Sequence, residues 1–85
     1  MILVIDDERA IREITKATLE EYNYQVLTAR DGSEAISLFN EYRSQIAVVV
    51  TDMMMPIMDG SLTIRALQKL DPAVKIIAVT GVKAQ

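Results

Sequence analysis

The sequence predicts a doubly wound α/β fold, a parallel sheet of about four strands carrying three helices. Three observations predict it. Apolar runs at Ile2 to Ile5, Ile46 to Val50 and Val74 to Val79 offer apolar groups on both faces, as strands inside a parallel sheet do. Between them lie stretches whose apolar residues recur at helical spacing. The joints are short, and strand alternates with helix along the chain, the pattern of a sheet covered on both sides.

The first strand, Ile2 to Ile5, stops at Asp6 and Asp7. From Arg9 to Tyr22, apolar or small groups at Ile11, Ile14, Thr18 and Tyr22 mark the first helix. Gln25 to Ala29 reads as a short second strand. Asp31-Gly32-Ser33-Glu34 is a capping-box pattern with Asp31 as N-cap. It opens a helix whose buried side is Ala35, Ile36, Leu38, Phe39 and Tyr42. The third strand, Ile46 to Thr51, ends at Asp52. A joint from Pro56 to Gly60 leads to a third helix marked by Leu62, Ala66, Leu67 and Leu70, which Asp71-Pro72 stops. Val74 to Val79 is the fourth strand, running into Thr80-Gly81. There are no repeats, linkers or low-complexity segments.

Composition narrows the function. The 85 residues are 51% hydrophobic, with a mean hydropathy of +0.20, so nearly every element is expected to bury a face. No apolar run approaches the ~20 residues of a membrane span. Strand residues start at Ile2 without a basic leader, so no signal peptide is expected, and a cytoplasmic location is. With no cysteine and no histidine, disulfides, thiolate or imidazole metal sites and histidine-based catalysis are excluded. Nine basic against twelve acidic residues, a net charge of −3, argue against a nucleic-acid surface.

Right-handed crossovers place the C-terminal ends of all the strands at one edge of the sheet, where ligands of open α/β sheets bind. The first strand delivers Asp6, Asp7 and Glu8 there, the third Asp52, the fourth Thr80 and Gly81. Taken singly, acidic residues after a strand are ordinary loop residues or helix caps, and a lone threonine is a strand-end hydroxyl. Met53, Met54 and Met55 are core or loop filling, and the three tyrosines are edge packing. Together, three aspartates and a hydroxyl converging on one crevice are more telling. Clustered carboxylates repel, and Mg²⁺, a hard cation that takes oxygen ligands and retains waters, relieves this. Such a pocket suits phosphoryl transfer, with Asp52 as the nucleophile and Thr80 as a hydroxyl donor to a phosphoryl oxygen.

Four motifs now carry a resemblance. Ile2-Leu3-Val4-Ile5-Asp6-Asp7-Glu8, Ala29-Arg30-Asp31-Gly32-Ser33-Glu34-Ala35, Thr51-Asp52-Met53-Met54-Met55-Pro56-Ile57-Met58-Asp59-Gly60 and Ile76-Ile77-Ala78-Val79-Thr80-Gly81 resemble, in order, the receiver domains of bacterial two-component response regulators. The resemblance implies a flavodoxin-like sheet of strand order 2-1-3-4-5, with Asp52 as the phosphoacceptor. It implies Asp6, Asp7, Asp52 and the backbone carbonyl of Met54 at a Mg²⁺ site, and Thr80 as the switch hydroxyl. Pro56 and Gly60 would shape the loop after the acceptor, and Met54 and Val82 would tune hydrolysis of the phosphoryl group. A histidine kinase or phosphotransfer domain would be the donor, and the motifs are similar to those of receivers fused to hybrid sensor kinases.

The family pattern continues with a fourth helix, a fifth strand bearing a lysine, and a fifth helix. Residues 1–85 are therefore expected to be an incomplete receiver, an excised or truncated piece. Neither Lys83 nor Lys75 stands where that lysine would. An exposed fourth strand invites pairing with another chain, so self-association is expected, and a module that keeps the fold without switching is the alternative function. A haloacid dehalogenase-type phosphatase is disfavoured, because Met54 stands where that chemistry wants a second aspartate.

Overall fold

The computed structural model describes residues 1–52 and 60–79. They form β1 (Ile2–Ile5), α1 (Arg9–Glu21), β2 (Val26–Ala29), α2 (Gly32–Tyr42), β3 (Val48–Asp52), α3 (Gly60–Leu70) and β4 (Lys75–Val79). The strands make one sheet of order β2-β1-β3-β4, every pair parallel. The doubly wound architecture expected from the sequence is the one observed.

Register decides which side chains share a face. Leu3 pairs with Leu27 and Val49, and Ile5 with Ala29 and Thr51. The apolar members of this set join Ala35 and Phe39 of α2 and Leu67 of α3 in the main core. Phe39 is wholly buried, and burial of a phenylalanine contributes about 1.5–3 kcal/mol. The Arg43 guanidinium lies 5.9 Å from the centre of its ring, within cation–π range. No α1 residue belongs to this core; that helix packs on β1 and β2 from the other face.

Local chemistry sets the ends of the elements. Asp31 caps α2, its Oδ1 accepting from the Glu34 amide at 2.8 Å, a bond usually worth about 1 kcal/mol. The return bond of the capping box runs one residue earlier than the pattern predicts, from the Arg30 amide to Glu34 Oε1. Helix α1 closes differently. Asn23 has φ 69°, its amide donates to the Glu20 carbonyl, and the Tyr24 amide reaches back to Leu19. This is a Schellman closure with asparagine in the left-handed position.

Three strand boundaries are shorter than the sequence suggests. Ile46 is buried, but its amide turns back to the Tyr42 carbonyl, so β3 begins two residues later. Val74 likewise bonds Asp71, whose Oδ1 also accepts from the Ala73 amide. Gln25 offers only its carbonyl to Ile2.

The larger departure is in α1, which contributes no buried residue. Ile11, Ile14 and Tyr22 are 39%, 63% and 71% exposed, whereas Arg12, Thr15, Lys16 and Leu19 are half-buried. The helix rests on β1 and β2, and its apolar stripe lies off that contact. In β4, Ile76 packs against the core while Ile77 and Val79 are 56% and 44% exposed.

Phe39→Ala is expected to lower the stability of the chain by about 3–5 kcal/mol, measured as a shift of the urea midpoint at unchanged slope.

Candidate functional site

Strand β1 ends at Ile5, in register with Thr51, so the residues that follow, Asp6 and Asp52, emerge side by side at the C-terminal edge of the sheet. Asp52 is the last residue of β3 and is only 4% exposed; Asp6 is 8% exposed. The exposed Asp7 completes the group, and one carboxylate oxygen from each of the three lies within 4.8 Å of the others.

The turn after β1 is held by the backbone. The Asp6 amide donates to the Ala29 carbonyl of β2. Asp6 Oδ1 accepts from the Glu8 amide at 2.9 Å, an Asx-type turn. The Asp6 carbonyl accepts from Arg12 Nη1 at 2.8 Å, which ties the start of α1 to the end of β1. Beside Asp52, the fully buried Thr51 donates its hydroxyl to the Asp52 carbonyl at 3.3 Å.

Two buried carboxylates and one exposed carboxylate, all hard oxygen donors, suit a divalent cation that keeps part of its water shell. The donor set and its spacing therefore fit Mg²⁺.

Of the residues singled out by sequence, Asp6, Asp7 and Asp52 are brought together. Gly60 is the buried first residue of α3. Thr80, the Met54 carbonyl, Pro56, Val82 and Lys83 lie outside the described residues. Arg12 is a component the sequence reading missed; its signal was a cation in the opening turns of the helix that follows the acid pair.

The response regulator receiver domain model matches residues 2–85. The chain belongs to that family. It is 36% identical over 80 residues to the sensor kinase CckA of Brucella abortus, covering 94% of this chain and 8% of the kinase. It is 44% identical over 80 residues to the probable transcriptional regulator ycf27 of Porphyridium aerugineum, covering 94% of this chain and 32% of that protein. The receiver thus spans a third or less of these two relatives. Among solved structures, the response regulator TrrA of Thermotoga maritima, in complex with Mg²⁺ and BeF, superposes with a TM-score of 0.82 at 36% identity. That match covers 91% of this chain and 65% of TrrA.

The packed carboxylates of this receiver repel one another in the absence of a cation. Mg²⁺ is expected to raise the urea midpoint of this receiver, and Asp7→Asn to lose most of that gain, with melts free of divalent metal as the reference.

Proposed function

We propose that this receiver accepts a phosphoryl group on Asp52 in a Mg²⁺-dependent reaction. The observation that carries the reading is the cluster of Asp6, Asp7 and Asp52 at the ends of two adjacent parallel strands. A carboxylate oxygen of Asp52 attacks phosphorus, the bond from phosphorus to the donor breaks, and an acyl phosphate forms on Asp52. Bound at the carboxylates, Mg²⁺ supplies the positive charge that lets an anionic phosphoryl group approach. Asp6 and Asp7 hold the ion, and the bonds around Asp6 hold the turn that presents them. Thr80 and the Met54 carbonyl complete the reading as hydroxyl donor and further metal ligand.

With no histidine in the chain, the phosphohistidine donor is a separate histidine kinase or phosphotransfer domain. The similarity to part of a sensor kinase supports a place in a hybrid kinase. The similarity to a transcriptional regulator supports an output domain of that kind instead.

Intact mass after incubation with acetyl phosphate tests the reading. One added phosphoryl group is expected with Mg²⁺ present, none with the ion chelated and none in Asp52→Asn; a folded chain that gains nothing with Mg²⁺ overturns the assignment.

A second reading, association of two copies through the β4 edge, is supported by the exposure of Ile77 and Val79 on a strand that pairs only with β3 among the described residues. Exposed apolar edges pair readily, and charge added at the middle of the edge opposes pairing more than the terminal Lys75 does. Sedimentation velocity is expected to show concentration-dependent dimers that Ile77→Lys converts to monomers; monomers of the parent chain at every concentration sink this reading.

A further inference from the structure

A second cluster of charge lies away from the acidic edge. A cavity of about 150 Å³ opens between α1 and β2, lined by Arg9, Arg12, Glu13, Lys16 and Thr28. We propose that it binds a compact, multiply charged anion of the phosphate class, such as a diphosphate group.

Charge comes first. Three cations and one carboxylate line the cavity in a chain whose net charge is −3, so the local surplus runs against the whole. The spacing of Arg9, Arg12 and Lys16, three and four residues apart, stacks them on one side of α1. Thr28 of β2 is in register with Val4, which places it on the α1 face of the sheet.

Next is the state of each cation. Arg12 and Lys16 are half-buried, their stems covered by the surrounding chain. Arg12 Nη1 is bonded to the Asp6 carbonyl, which steadies the guanidinium. That group carries five donors and grips oxyanions bidentately. The pairs Arg9–Glu13 and Lys16–Glu20 involve side chains 83% and 65%, and 41% and 46%, exposed. Ion pairs so exposed are weak and yield readily to a more highly charged ligand.

Size then selects the ligand. The cavity has room for a phosphate or diphosphate group but not for a helix ~10 Å across. Three cations neutralise few phosphates and the chain as a whole is acidic, which disfavours nucleic acid. Thr28 adds a neutral hydroxyl of the kind that completes an oxyanion's hydrogen bonds. The proposal is independent of phosphorylation at Asp52, although Arg12 touches both places.

The test is titration of the ¹⁵N-labelled chain, free of Mg²⁺ and at constant ionic strength, followed by amide shifts. Pyrophosphate is expected to give saturable shifts at residues 9–16 and at Thr28, with sulfate weaker. The double variant Arg9→Gln/Lys16→Gln is expected to bind at least tenfold more weakly while melting normally and still taking up phosphoryl from acetyl phosphate. ADP separates the sources of the group. A response equal to that of pyrophosphate supports recognition of the diphosphate itself, and a tighter response supports a nucleotide diphosphate. Shifts that rise linearly with concentration, an unaltered response in the double variant, or binding of ADP without pyrophosphate each overturn the proposal.

Discussion

Parallel pairing of β1 with β3 is the constraint on which the rest of the molecule depends. These strands come from opposite halves of the chain, and their register sets Ile5 against Thr51. That one alignment places Leu3, Ile5, Val49 and Thr51 on the face that α2 and α3 cover. It also brings Asp6 and Asp52 to the same edge. Core and acidic site are two readings of one register, because side chains alternate strictly along a strand. A slip of a single residue in β3 would turn Val49 and Thr51 outward and withdraw Asp52 from Asp6.

The two faces of the sheet differ in how they are held. One is a packed apolar layer centred on Phe39, Leu3 and Leu67, all wholly buried. The other carries α1, whose contact with the sheet runs through half-buried Arg12, Thr15, Lys16 and Leu19. Polar groups therefore share with a few aliphatic ones, Leu19 among them, the contact that phenylalanine and leucine make on the opposite face. The bond from Arg12 to the Asp6 carbonyl joins helix to strand where apolar packing is thin, and it does so immediately beside the acidic edge.

Much of this was legible in the sequence, for identifiable reasons. All seven elements were, because their apolar periods are clean and the joints carry Asp, Gly and Pro. The cap at Asp31 was, because capping chemistry is local. Asp6, Asp7 and Asp52 could be brought together on paper, since parallel topology sends every strand to the same edge. The orientation of α1 could not. The spacing of Ile11, Ile14, Thr18 and Tyr22 marks a helix correctly but does not say which neighbours the stripe will meet. Nor could Arg12 be found by period or motif, because its partner is a backbone carbonyl; its one trace was a cation in the opening turns of the helix. The left-handed Asn23 was equally silent; asparagine tolerates that conformation in many contexts without announcing it.

The β1–β3 pairing has a kinetic side as well. Joining these strands closes a loop containing α1, β2 and α2, and loop closure costs entropy before any contact rewards it. The local pieces, capped α2 and the Schellman-closed α1, can form earlier because their bonds span only a few residues. The three carboxylates meet only when that loop closes, so a divalent cation that needs all three would bind the closed chain and not the open one. Such an ion would hold the loop shut and favour the folded state by mass action.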